Sequence, residues 1–243
     1  MGSDSDVWPG DRNTSNMLVI GHRGASAAAP ENSIRAFEFA DKMGADGVEL
    51  DVRLAPDGRL IVKHDPLPTE PAALDGYPVL SDALAACGDM LVNVEIKNSD
   101  DEAGYDSTVA VAELAIAEMR HHGDPSRWII SSFDWATIHR CRELAPDLMT
   151  AYLVTNATPE VIERTAAAGH AAVHPWEPTI DQAMVDRCHG AGIAINTWTC
   201  NDPERLQELA AIGVDGACTD VPDVALMALG RRISPAALWG TRA

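Results

Sequence analysis

Three acids in the chain sit on stretches whose alternation puts them to use. In Val48-Glu49-Leu50-Asp51-Val52 apolar and acidic residues alternate strictly, and a strand sends successive side chains to opposite faces, so Glu49 and Asp51 share one face. Asn93-Val94-Glu95-Ile96-Lys97 repeats the device and groups Asn93, Glu95 and Lys97. If the two strands are neighbours, the three acids converge. Two carboxylates roughly 5 Å apart repel by about 3 kcal/mol at an effective dielectric near 20, so three such pairs approach ~10 kcal/mol. One hard divalent cation offsets this most simply. All-oxygen ligands suit Mg²⁺ or Ca²⁺, with Mn²⁺ as a third candidate, and leave positions for water or phosphate oxygens. The competing interpretation is three unrelated acids paired with surface Lys or Arg.

Two histidines accompany the acids. His22 lies between Gly21 and Gly24 at the end of an apolar stretch, where the backbone can turn sharply, and His64-Asp65 ends a second short stretch. Imidazoles titrate near neutral pH, so a pair flanking a metal-held phosphate can supply a base for the attacking oxygen and an acid for the departing one. Arg23 and Lys97 are placed to hold phosphate oxygens. Trp198 ends Ala194-Ile195-Asn196-Thr197-Trp198, where its ring either walls a pocket or packs in the core. His174 is open between pocket and core, whereas His121, His122, His139, His170 and His189 fall on helices or helix ends. Glu31-Asn32-Ser33 reads chiefly as a helix start.

The elements that must position these groups alternate regularly. Eight apolar stretches, 17–20, 47–52, 91–96, 128–132, 150–154, 171–174, 193–198 and 216–219, are each followed by a helical periodicity beginning near Glu31, Ser81, Asp106, Trp135, Pro159, Ile180, Pro203 and Pro222. The fold class is α/β, a single (β/α)8 TIM barrel, for which 243 residues are close to the roughly 250 typical. Such barrels place active sites at the C-terminal ends of their strands, where His22 falls. Pro56-Asp57-Gly58 is a turn sequence, so 59–63 forms a short antiparallel extra strand that returns His64 to the barrel mouth. The Pro-rich 65–80 is a short cap loop expected across the top face. Residues 1–16 are a flexible N-terminal segment and 17–243 the barrel domain.

Composition narrows the partners. Lys plus Arg number 18 against 37 Asp plus Glu, a formal charge of -19, which repels nucleic acid at long range. A small-molecule substrate is expected instead. No apolar run is long enough to cross a membrane, and the N-terminus lacks the pattern of a secretory signal. Five cysteines at wide spacing, without CxxC, suit reduced thiols and a cytoplasmic location. The oligomeric state is not readable.

Taken together these residues resemble the glycerophosphodiester phosphodiesterase family of TIM-barrel enzymes. The resemblance rests on Gly21-His22-Arg23-Gly24, Pro30-Glu31-Asn32-Ser33 with Ala36-Phe37, 44–52 (Gly-Ala-Asp-Gly-Val-Glu-Leu-Asp-Val), and Asp57-Gly58 followed by His64-Asp65. It continues through Pro78-Val79-Leu80, 93–97, Ser131-Ser132-Phe133, Trp198-Thr199 and Thr219-Asp220, covering about 17 to 228. The resemblance implies hydrolysis of glycerophosphodiesters to an alcohol and sn-glycerol 3-phosphate. It implies Glu49, Asp51 and Glu95 as metal ligands, His22 and His64 as the acid/base pair, and Arg23 and Lys97 at the phosphate. It further suggests attack by the glycerol 2-hydroxyl, departure of the alcohol, and opening of a cyclic phosphate by water, with His22 the first base and His64 the acid. One departure is the insertion after the His-Asp pair, which is short here and lacks the family's Arg/Thr pattern.

Two rival functions stand beside this one. A phospholipase-like barrel acting on lysophospholipids or lipid headgroups would use the same histidines, with an apolar or basic rim at its mouth. A non-catalytic barrel binding phosphorylated metabolites is the other, against which the retained histidines and acids argue.

Overall fold

The computed structural model describes residues 17–102 and 104–233; the expectation of a flexible 1–16 segment lies outside the described residues. Among the described residues nine strands run β1 (Leu18–Gly21), β2 (Gly47–Leu54), β3 (Leu60–Val62), β4 (Leu91–Ile96), β5 (Trp128–Ser132), β6 (Met149–Val154), β7 (Ala172–Pro175), β8 (Ala194–Thr197) and β9 (Gly216–Thr219). The helices between them are α1 (Ile34–Met43), α2 (Leu80–Ala86), α3 (Ala110–His121), α4 (Trp135–Leu144), α5 (Pro159–Ala167), α6 (Gln182–Gly190), α7 (Pro203–Ala211) and α8 (Pro222–Ala228). β1 pairs in parallel with both β2 and β9, and the intervening pairings are parallel, so β1, β2 and β4 to β9 close an eight-stranded barrel. β3 alone is antiparallel, paired with β2 through Val52 and Val62, Arg53 and Ile61, and Leu54 and Leu60. This is the TIM barrel with the extra strand expected from the sequence.

α1 illustrates how the helices are specified. The Ser33 side chain caps its first turn by accepting from the Ala36 amide, and Gly44 ends it at φ 90°, a conformation that costs glycine little. Ala36, Phe37, Ala40 and Met43 fall on one face and are buried against the barrel. Complete burial of a side chain such as Phe37 contributes about 1.5–3 kcal/mol.

The interior of the barrel is layered. Leu91, Ile129, Ala151, Ala172 and Ala194, at or near the starts of their strands, form an apolar floor. Because strand side chains alternate, the next inward residues two positions on are Asn93, Ser131, Leu153, His174 and Asn196, so polarity rises toward the C-terminal ends. Larger clusters fill the space between the strands and the helices.

Three expectations are corrected. The first helix starts at Ile34 rather than near Glu31, since Ser33, not the acid, is its cap. The third starts at Ala110 rather than near Asp106, whose carboxylate instead accepts from the Thr108 and Ala110 amides. The 65–80 loop does not lie across the mouth. Its Leu74 is buried with Ala55 and Ile61, and Leu67 and Val79 pack on them, so it folds onto the β2–β3 hairpin. That small apolar core outweighs any contact the loop would make over a polar opening.

Candidate active site

The turn after β1 is fixed by close packing. Arg23 and Gly24 have positive φ values of 55° and 82°, and a Cβ on Gly24 would meet the Ala36 carbonyl carbon at 2.6 Å. Only glycine lets the chain pass that closely over α1. The turn aims His22 and Arg23 at a pocket that is also lined by Glu49, His64, Asn93, Glu95, Lys97, Phe133, Leu153, His174, Thr197, Trp198 and Cys218. The structure thus lines one pocket with every sequence-predicted site residue except Asp51, which lies buried beside Glu49 and Glu95.

The acids converge through strand register. Asp51 of β2 sits opposite Glu95 of β4, one step above the Glu49 and Asn93 pair. Glu49, Asp51 and Glu95 are all buried, and each offers a carboxylate oxygen within 4.8 Å of the others. Burial first, then the charges of Asp51 and Glu95, holds the Glu49 carboxyl well above the usual carboxylate range. Burial and Asp51 likewise push Glu95 up to about 7, with Lys97 opposing. Partners satisfy only some of the oxygens: the Arg23 amide donates to Glu49 Oε2 at 3.0 Å and Asn32 Nδ2 to Asp51 Oδ2 at 2.8 Å. Glu49 Oε1, Asp51 Oδ1 and Asn93 Oδ1 are buried with no hydrogen-bond partner. An all-oxygen set with orphaned lone pairs and mutually repelling charges fits a hard divalent cation.

Cations ring the acids. Lys97 Nζ is 2.8 Å from Glu95 Oε1 and 4.0 Å from Asp51 Oδ1. Arg23 Nε is 3.3 Å from Asp51 Oδ2, and its Nη1 donates to Glu31 Oε2 at 2.8 Å. Glu31 and Asn32 are therefore more than a helix start: one restrains Arg23, and the other, buried at φ 56°, holds Asp51. No periodicity flags Asn32, although asparagine tolerates that backbone region better than most residues.

The two histidines are held differently. His22 Nδ1 lies 2.7 Å from Asp220 Oδ1, and Asp220 also accepts from Ser26 Oγ at 2.9 Å and Asn201 Nδ2 at 2.6 Å. The bond to His22, joined by those to Asn201 and Ser26, lowers Asp220 to about 2. Asp220 was missed as a site residue in the sequence, where its position just past β9 was the available signal. His64 Nδ1 lies 3.0 Å from Asp65 Oδ1 at the more exposed rim.

Trp198 lines the pocket, donates from Nε1 to the His174 carbonyl at 2.9 Å, and meets Phe133 edge to face at 5.3 Å. Lys97 Nζ lies 5.7 Å from the centre of the Phe133 ring. His174 also faces the pocket, with Nε2 3.3 Å from Asn196 Nδ2, and burial drives it down to about 3, so it stays neutral. His121, His122, His139, His170 and His189 line no part of this pocket. A larger cleft of about 490 Å³ opens on the outer side of Lys97, walled by Leu54, Pro56, Leu67, Val111 and Leu114.

The chain matches the Glycerophosphoryl diester phosphodiesterase family over residues 22–70 and 67–224. It is 30% identical over 235 residues to a glycerophosphodiester phosphodiesterase of Caldanaerobacter subterraneus subsp. tengcongensis, covering 85% of this chain and 95% of that one. The crystal structure of glycerophosphodiester phosphodiesterase from Thermotoga maritima superposes with a TM-score of 0.70 at 27% identity, covering 88% of this chain and 98% of that one. An Oleispira antarctica phosphodiesterase, solved in complex with the product sn-glycerol-3-phosphate, shares the fold with a TM-score of 0.78 at 22% identity, covering 88% and 96%.

Proposed function

The chain belongs to the glycerophosphoryl diester phosphodiesterase family, and on that premise we propose that it hydrolyses glycerophosphodiesters to an alcohol and sn-glycerol 3-phosphate with a bound divalent cation and a pair of histidines. The observation that carries this is the convergence of Glu49, Asp51 and Glu95, with orphaned oxygens on Glu49 and Asp51, at a pocket that also holds His22 and Lys97. The product seen with the Oleispira protein supports the same product here.

Glu49, Asp51 and Glu95 would hold the cation, which when bound supplies charge neutralisation to the phosphate oxygens. Lys97 and Arg23 add fixed positive charge at the same oxygens, where preorganised donors act most strongly. Asp220 on Nδ1 leaves His22 Nε2 to take the proton of the glycerol 2-hydroxyl as that oxygen bonds to phosphorus. The bond from phosphorus to the alcohol oxygen breaks, and His64 gives that oxygen a proton. In the second half water attacks the cyclic phosphate, passing its proton to His64 while His22 returns its own to the 2-oxygen. Trp198 and Phe133 wall the pocket around the reacting phosphate. A small diffusible substrate fits the net charge of -19, and five free, buried cysteines fit a cytoplasmic setting.

The test is turnover of glycerophosphocholine and glycerophosphoethanolamine after chelation and readdition of Mg²⁺, Ca²⁺ or Mn²⁺. Activity restored by one of these ions, with sn-glycerol 3-phosphate formed, is expected; full activity in chelator would refute the metal. The apolar cleft beyond Lys97 favours a second reading, an amphiphilic alcohol such as that of a lysophospholipid. Turnover of lysophospholipids with none of the soluble diesters would select it.

A further inference from the structure

Arg53 follows Glu49 and Asp51 on the same face of β2, yet it does not line the catalytic pocket. Its side chain is only 7% exposed, and a buried guanidinium is costly unless its donors are used. Two of them converge on one acceptor: Nε and Nη2 donate to the backbone carbonyl of His64 at 2.8 and 2.6 Å. Nη2 also lies 2.6 Å from Glu102 Oε2. The guanidinium therefore joins the barrel strand carrying the acids, the residue that ends the β3 hairpin, and the loop after β4.

The His64 imidazole has little else to hold it. Its polar partner among the described residues is Asp65, whose side chain is 72% exposed, and the chain continues into a loop that packs on the hairpin, away from the mouth. The Lys63 amide bonds to the Asp51 carbonyl at 3.1 Å, so the backbone is anchored one residue earlier. His22, by contrast, is fixed by its own amide to the Thr219 carbonyl and by Asp220 on its ring. A charge-assisted, two-pronged bond to the carbonyl sets the peptide plane directly after His64, and with it the direction of the ring.

We propose that Arg53, held by Glu102, is a positioning residue that aims His64 at the leaving-group oxygen. This rests on the reading of His64 as the acid. A displaced acid slows departure of an alcohol that needs its proton far more than departure of a group that leaves as a stable anion.

The experiment compares kcat for glycerophosphocholine and for the glycerol ester of p-nitrophenyl phosphate in the metal-loaded wild type and in Arg53→Gln, Arg53→Lys, Glu102→Gln and His64→Ala. Arg53→Gln is expected to lose roughly 10- to 100-fold with the choline substrate and less than about 3-fold with the nitrophenyl one, with KM little changed. Arg53→Lys and Glu102→Gln, which disturb the fold less, should show the same selective loss to a smaller degree. His64→Ala should show it most strongly. Equal loss on both substrates in all three clamp variants, or no loss, overturns the role of Arg53 while a selective loss in His64→Ala leaves the acid standing. Absence of selectivity in His64→Ala overturns the acid and the positioning role together.

Discussion

His22 Nδ1 and Asp220 Oδ1 lie 2.7 Å apart across the join of the first and last barrel strands. The carboxylate is itself pinned by Ser26 and Asn201, so it can fix both the tautomer and the angle of the ring. Asp220→Asn should therefore lower kcat by about 10²-fold or more while leaving Mg²⁺ binding unchanged, because an amide can donate to Nδ1 and impose the wrong tautomer. Steady-state kinetics beside metal titration by calorimetry checks it; undiminished kcat would remove Asp220 from the reaction.

The acid cluster gives the protein a pH-dependent need for its cation. Glu95 is raised from 4.5 to about 7 by burial, with Asp51 adding to it, and Glu49 is raised as well. An acid raised in the folded state stabilises below its unfolded value and loses that contribution as pH climbs through its folded value. Relative to the chelated protein, the stabilisation gained with Mg²⁺ should thus widen between pH 5 and pH 7.5, and binding should release protons. Thermal melts at matched pH measure the widening; a constant gain across that range would count against these acids as ligands.

Much of this was legible in the sequence because strand alternation is a strict geometric rule. Glu49, Asp51 and Glu95 follow from period two alone, and the β3 hairpin follows from Pro56-Asp57-Gly58. Contacts between distant segments carry no such period. Asp220 reaches His22 across 198 positions, Asn32 reaches Asp51 from a turn at φ 56°, and Arg53 turns sideways to the His64 carbonyl. The cap loop was misplaced for a related reason. Its Leu67, Leu74 and Val79 show no regular spacing, and only the hairpin surface of Ala55 and Ile61 reveals where they go.

Two buried histidines should make the protein sensitive to acid. His170, with Nδ1 2.8 Å from Thr150 Oγ1, is lowered from 6.5 to about 4, chiefly by burial, and His174 to about 3 by burial alone. A histidine lowered in the folded state gives its full contribution above 6.5 and loses it as pH falls toward the folded value. At pH 5 each withholds about 2 kcal/mol, from 1.5 units of pH below the unfolded value. Urea denaturation at pH 7.5 and 5, with metal present, should show the drop, and His170→Gln should reduce it. An unchanged pH dependence in that variant would mean that His170 titrates normally.

Gly47 offers a test of how the barrel wall sets the acids. It opens β2 opposite Leu91 of β4, and a Cβ there would meet the Leu91 carbonyl oxygen at 2.7 Å and its Cβ at 3.0 Å. Neither group is the free end of a side chain, so the two strands must separate. Overpacking of this kind costs about 1–3 kcal/mol. Glu49 lies two residues above Gly47 and Asn93 two above Leu91, on the same inward faces, so the separation carries upward to the carboxylates. Gly47→Ala should accordingly lower both the melting temperature and the affinity for Mg²⁺, although residue 47 touches no ligand oxygen. Gly44→Ala is the control: its φ of 90° strains an alanine, but nothing lies within 4 Å of the new Cβ. It should lower stability and leave Mg²⁺ affinity intact. Equal affinities in the two variants would show that strand spacing at the floor does not reach the acids.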